Sequence, residues 1–379
     1  MKKIFTLIIA MVSLQTYAGG GGGTPTCGSG NGTKVSWPTV DPLWEMCVLG
    51  PSESSAADGS SLEIRDVYLN GYYAIERAHI PMLFANYQQG TCYRDWKDTD
   101  SEFLRPNGVE NPSRAAITTC DISTSETQVV GNCPYDNLNG GGSVGSGSDC
   151  VVGVTVEKYD DRMVLTTNHS AAWYKYSSRF TFYDDGRLVP RFGFGNSTGT
   201  NSDITHWHHA YWRINFDIDG PSNDEIYSDN TKMTTEFSDQ RGDDEASAVT
   251  WTVKDNVTNR GFRIEATAED YLIDVDESPH NPDNYHNTDV MGTQYRTIGN
   301  LTEYSDTPGS NSLGNCPMQE ENLVNGASID SEDVVFWYRT AVMDLANAGL
   351  VCKFGGPIFY PVGDWDLFNS DVIFENSFE

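Results

Sequence analysis

Thr205-His206-Trp207-His208-His209-Ala210-Tyr211-Trp212-Arg213-Ile214-Asn215-Phe216-Asp217-Ile218-Asp219-Gly220 is the stretch on which the reading of this chain turns. It holds three of the seven histidines, followed by alternating large apolar and polar residues. In an extended strand, successive side chains point to opposite faces. His206 and His208 therefore project together, and Trp207 and His209 project the other way. Two imidazoles on one strand face supply two donors of a three-ligand metal site, and imidazole suits Cu, Zn, Fe and Ni. A polar strand face with solvated histidines would carry the same pattern, so the rest of the chain must decide between them.

Working outward, residues 62–69 alternate as a strand, Asn70-Gly71 is a two-residue hairpin signal, and residues 72–78 form the return strand. Further strands are expected at 150–156, 163–167, 174–183, 188–194, 249–253, 261–266 and 334–338, with Asp184-Asp185-Gly186 as a turn. Residues 121–149 read as a long surface loop, residues 276–287 and 303–316 as loops, and residues 340–348 as a helix. Aromatic residues make up 12% of the chain, and Gly and Asn are frequent. Short strands separated by turns predict an all-β protein, a β-sandwich.

Residues 1–18 have the form of a bacterial-type secretory signal: Lys2-Lys3, a short apolar core, then Thr16-Tyr17-Ala18 before the cut. Residues 19–34 read as a flexible Gly-rich leader, 35–368 as one folded domain and 369–379 as an acidic, aromatic tail. The expected location is periplasmic or secreted. No later apolar run reaches membrane length. The net charge of −30, from 54 acidic and 24 basic residues, argues against nucleic acid or an anionic membrane as partner. Eight cysteines without a C-x-x-C, in an exported chain, imply disulfides. Sequence does not fix the connectivity; Cys316 with Cys352, and Cys120 with Cys133 or Cys150, are the pairings expected.

Several stretches together resemble the catalytic domain of copper amine oxidases, the quinoprotein family that carries topaquinone. The resemblance runs from near Trp44 to about Asp366, without the family's N-terminal accessory domains. His206-x-His208-x4-Arg213-Ile214-x4-Asp219-Gly220-x2-Asn223 is similar to the family's H-x-H-x4-R-[LI]-D-x3-D-G-x2-N. The resemblance implies a catalytic-domain sandwich in which His206 and His208 bind Cu(II). Tyr174-x-Tyr176 leading to Phe180-x-Phe182-Tyr183-x-Asp185-Gly186 resembles the stretch whose tyrosine becomes topaquinone, which places the precursor at Tyr174. Arg77-Ala78-x8-Tyr87 and Arg94-x-Trp96-x-Asp98-Thr99 resemble the segment with a tyrosine beside the quinone and an aspartate general base; Tyr87 and Asp98 fall in those places, with Asp100 as the alternative base. Ile329-Asp330-x2-Asp333-Val334-Val335-Phe336-Trp337-Tyr338 resembles the strand that leads to the third copper ligand, and counting forward reaches Asp344. A structural Ca²⁺ site is implied at Asn215, Asp217 and Asp333, with the carbonyls of Phe216 and Val334.

The chain also departs from the family. The motif T-x-x-N-Y-[DE] reads Ser170-Ala171-Ala172-Trp173-Tyr174-Lys175, and Asp344 stands where the family has histidine. His209 faces away from the pair; His280 and His286 are alternative third ligands. Asn281-Pro282-Asp283-Asn284-Tyr285 mimics the tyrosine motif but follows the histidine strand. The implied function is oxidation of a small primary amine by O₂ to aldehyde, ammonia and peroxide, by a homodimer as in the family. The alternatives are an inert or re-purposed metal-binding relative, and a different oxidase using His206, His208 and Asp344 as a facial triad.

Overall fold

The computed structural model describes residues 21–28, 32–50, 54–55, 62–87, 91–94, 105–106, 127–130, 154–171, 174–196, 203–242, 247–270, 288–296, 323–347 and 351–367. In chain order the strands are β1 (Thr33–Trp37), β2 (Trp44–Leu49), β3 (Glu63–Leu69), β4 (Tyr72–Tyr87), β5 (Thr91–Arg94), β6 (Arg105–Pro106) and β7 (Thr127–Val130). Then come β8 (Val154–Lys158), β9 (Arg162–Ala171), β10 (Tyr174–Tyr183), β11 (Leu188–Asn196), β12 (His206–Phe216), β13 (Asp224–Ser228) and β14 (Thr231–Met233). The last are β15 (Phe237–Asp239), β16 (Trp251–Asp255), β17 (Gly261–Glu265), β18 (Val290–Gln294), β19 (Val334–Asp344), β20 (Val351–Gly355) and β21 (Ile358–Val362).

They form two antiparallel sheets, so the all-β sandwich expected from the sequence is the fold observed. Sheet one has nine strands ordered β1-β2-β3-β4-β12-β19-β18-β15, with β5 against β4. Sheet two has twelve, ordered β14-β13-β16-β17-β21-β11-β10-β9-β8-β7, with β20 on β11 and β6 on β9. The Asn70-Gly71 turn is confirmed: both residues have positive φ and Leu69 pairs with Tyr72, as a type I′ hairpin requires.

The core lies between the sheets. Every second residue of β12 enters it: Ala210, Trp212, Ile214 and Phe216 are all fully buried. Trp212 meets Phe180 of sheet two at 5.1 Å between ring centroids, Phe216 meets Phe262 at 5.9 Å, and Phe336 of β19 meets Trp251 at 6.2 Å. Indole N–H groups near the rim reach across to carbonyls of the other sheet, Trp44 to Tyr183 (2.8 Å) and Trp37 to Tyr159 (2.9 Å). The indole N–H groups of Trp37 and Trp44 are thus hydrogen-bonded although their rings are buried. The outer face of β12 is buried as well, under a second cluster with Met82, Tyr211, Met291, Leu323, Val335 and Trp337.

Three expectations are corrected. Residues 340–348 do not form a helix, because β19 continues to Asp344, pairing with β12 along its whole length; tertiary pairing overrides local propensity. Thr127–Val130, inside the expected loop, pairs with β8. Residues 21–28, expected to be flexible, are tied down: Gly21 N–H donates to Asn70 O (3.2 Å), Gly23 N–H to Gly71 O (2.9 Å), and Cys27 is disulfide-bonded to Cys47. That pairing was not among those expected. The side chains of Cys120, Cys133, Cys150, Cys316 and Cys352 lie outside the described residues, as do residues 1–18 and 369–379.

Trp212→Ala would empty the centre of the sandwich. Its expected cost is about 3–5 kcal/mol, measured by denaturant unfolding.

Candidate metal centre

Strand register assembles the centre. His206 is directly opposite Tyr87 of β4 on one side and Asp344 of β19 on the other. Directly opposed residues share a face, so Tyr87, His206 and Asp344 form a row across three strands, facing sheet two. His206 and Asp344 are fully buried and Tyr87 is nearly so. The Tyr87 ring stacks on His206 with centroids 4.8 Å apart. His206 Nε2 lies 3.5 Å from Asp344 Oδ2. The aspartate reached by counting along the sequence is thus the neighbour of the first histidine in space.

His208 shares that face, with its ring 5.0 Å from that of His206. It is enclosed by sheet two: Phe194 of β11 stacks on it at 3.8 Å, and the hydroxyl of Tyr176 of β10 lies 2.7 Å from Nδ1. Burial lowers the pKa of both histidines. For His208 its histidine neighbours add to the effect, whereas for His206 the Ile204 carbonyl and Asp344 oppose it. Both imidazoles are therefore held towards the neutral form that a metal needs.

The tautomer of His206 follows from its partner. Nδ1 lies 2.8 Å from the Ile204 carbonyl, which can only accept, so Nδ1 carries the hydrogen. In the neutral ring Nε2 then presents a lone pair to a carboxylate oxygen. Two electron-rich atoms 3.5 Å apart in a buried site call for a shared cation, either a proton or a metal. Two imidazoles and a carboxylate are a donor set for a divalent transition metal, and in this respect the residues fit copper. Among the described residues no group of three or more His, Cys, Asp or Glu side chains is already assembled to hold an ion.

His209 faces the outer side, as the alternation predicts. Its Nδ1 lies 3.1 Å from Nη1 of Arg339, whose guanidinium also donates to Asp289 (Nε, 3.0 Å; Nη2, 2.5 Å). Arg241 completes this buried network, 3.3 Å from Asp289.

At the far end of β12 the other predicted group also comes together. Asp217 is buried with its pKa pushed up to about 8, first by burial and then by Asp333 and Glu76. Asp224 of β13 is buried and raised well above its ordinary value, by burial and then by Asp217, Asp255 and Asp333. The Asn215 amide, oriented to satisfy both its ends, donates to Val334 O (3.0 Å) and Asp333 Oδ1 (3.2 Å). It thereby offers N–H groups to two of the oxygens expected to bind Ca²⁺. Asp98, Asp100, His280, His286 and Trp173 lie outside the described residues, and Tyr174 is described in its backbone only, paired with Asn196 and Ala171. Sequence reasoning passed over Tyr176. The motif pointed to Tyr174, and the available signal was period two, which puts both tyrosines on one face of β10.

No family model and no curated protein sequence matches the chain. Solved structures do. The Aspergillus nidulans amine oxidase matches with a TM-score of 0.56 at 13% identity, over 95% of this chain and 55% of that one. A copper-containing benzylamine oxidase from Hansenula polymorpha gives 0.55 at 13%, over 87% and 59%. The Pichia pastoris lysyl oxidase gives 0.52 at 14%, over 84% and 51%. The chain thus has the sandwich fold of these oxidases and spans about half their length.

Asp217 sets a pH prediction. Between its ordinary value of 3.8 and about 8, the folded chain holds a proton that the unfolded chain has released. Stability from this group is complete below about pH 4 and declines as pH rises to about 8. Asp217→Asn should flatten that decline, raising Tm at pH 8 in EDTA by a few degrees, as read by thermal unfolding across pH.

Proposed function

We propose that this chain is an exported copper- and quinone-dependent oxidase of small primary amines. The observation that carries the reading is the His206–Asp344 pair: a neutral imidazole lone pair facing a buried carboxylate oxygen at 3.5 Å, on the sheet face shared with His208. The shared fold with solved amine oxidases supports it. His206, His208 and Asp344 would hold the metal. Copper bound there supplies the redox chemistry through which O₂ converts Tyr174 to topaquinone and later restores it.

The remaining work falls to the protein's own groups. Asp98 takes the proton from the α-carbon of the amine, which requires that it be held beside that carbon with a pKa tuned by its surroundings. Tyr87, stacked on His206, covers one ring face and keeps water from it. Phe194 does the same for His208. The net reaction takes amine, O₂ and water to aldehyde, ammonia and hydrogen peroxide. Asn215, Asp217 and Asp333 would hold a structural Ca²⁺, replacing the proton on Asp217 with a charge that persists at neutral pH. The active form is read as a homodimer. Among the described residues no helix is long and apolar enough to cross a membrane.

A second reading rests on Trp173 and Lys175, which replace the family's Asn and acid on either side of Tyr174. Under it the chain keeps the metal but forms no quinone. Phenylhydrazine added to copper-loaded protein in air separates the two. A visible absorption band that is absent in Tyr174→Phe is expected for the oxidase. A copper-replete sample with no band would leave the metal-binding relative. Metal analysis should show His206→Ala losing bound copper by at least about tenfold, while His209→Ala, altered on the opposite face, retains it.

A further inference from the structure

Both histidines on the metal-facing side are held through Nδ1, but by partners of different chemistry. His206 faces a backbone carbonyl, which only accepts. His208 faces the phenol of Tyr176 at 2.7 Å, and a hydroxyl can either donate or accept. His206 is therefore fixed in the tautomer that offers Nε2. His208 is not fixed by its partner: Tyr176 can donate to Nδ1, leaving the hydrogen on Nε2, or accept from Nδ1, leaving Nε2 open.

We propose that Tyr176 is a positioning residue of the metal centre: it holds the His208 ring from the opposite sheet and reverses its hydrogen bond when Nε2 takes a metal. The proposal rests on the reading of His206, His208 and Asp344 as the ligand set. In the step the ring changes tautomer with no net loss of a proton: Nε2 releases its proton to solvent and Nδ1 takes one from solvent. The hydroxyl turns from donor to acceptor, and no covalent bond to carbon changes. On the tyrosine's side the reversal needs a rotation about the phenol C–O bond, with the ring kept in its packing. Tyr176 is fully buried, with Phe192 at 5.7 Å and Phe194 at 5.8 Å between centroids. Phe194 also stacks on His208, so one aromatic clamp sets both rings.

The position of Tyr176 gives the contact a second use. Tyr176 and Tyr174 lie two apart on β10. The hydrogen bond therefore ties the metal-facing strand β12 to the strand that carries Tyr174. It sets how far the oxidisable tyrosine's backbone stands from His208.

The test compares the metal-stripped full chain with its Tyr176→Phe variant, which keeps the ring and its packing and removes only the oxygen. Zn(II) and Cu(II) affinities are measured by competition with a chelator, and the copper form by electron paramagnetic resonance. Outer-sphere partners of ligating histidines typically contribute 10–100-fold in metal affinity. A loss of about that size for both metals, with an altered copper spectrum, is expected. Nitrogen NMR of His208 in the wild type is a separate measurement that does not depend on the variant folding. With Zn(II) bound, Nδ1 should be protonated and hydrogen-bonded. Equal affinity and an unchanged copper spectrum in Tyr176→Phe would overturn the proposal and leave the ligand set standing. So would an unprotonated Nδ1 in the Zn(II) form. A wild-type chain that takes up neither metal would overturn both.

Discussion

Register along β12 is the constraint on which everything else depends. The strand is hydrogen-bonded on both edges, to β4 and β19, and buried on both faces. A slip of one residue would turn Trp212, Ile214 and Phe216 out of the core and drive Arg213 and Asn215 into it. The apolar half of the strand therefore locks the polar half. His206 and His208 face sheet two because Trp212 and Phe216 must. Asp344 and Tyr87 stand beside His206 because their strands obey the same pairing. Strand pairing by itself brings these three residues together.

The two ends of β12 pose opposite electrostatic problems. At one end an imidazole held towards neutrality stands beside a carboxylate; at the other, Asp217, Asp224 and Asp333 gather, with Arg213 opposing the rise at Asp217. Sheet two contributes at both ends, Tyr176 on His208 and Asp224 beside Asp217. The apolar middle resembles any sandwich core, and the polar work is confined to its two ends. Behind the strand, Asp289 is shared by Arg339 and Arg241, and Arg339 also reaches His209 Nδ1, so the buried carboxylate there is paired.

Much of this was legible in the sequence. Strict alternation gave the strand and the shared face of His206 and His208. Asn70-Gly71 gave the hairpin because both residues tolerate the positive φ that a type I′ turn needs. Asp344 was reached by counting along a motif, and the structure sets it against His206. What could not be read depended on long-range pairing. Residues 340–348 carry helical propensity, yet Thr340 to Asp344 lie opposite β12 and extend the ladder. Cys27 had no visible partner, since Cys47 meets it only through the β1–β2 hairpin. Tyr176 was hidden by its neighbour: the motif named Tyr174, and the contact of the Tyr176 phenol with His208 depends on the position of the other sheet.

The glycines at 21 and 23 carry a different lesson. Their run looks like filler, yet a methyl group on Gly21 would sit 2.2 Å from the Gly71 carbonyl oxygen, and one on Gly23 would sit 2.4 Å from the Tyr68 ring. The segment is a strap whose thickness is that of bare backbone, drawn over the hairpin turn and buckled at Cys27–Cys47. Simplicity of composition here records a lack of room. The cross-link forms only under oxidising conditions, so whether the strap is fastened depends on the redox state around the chain.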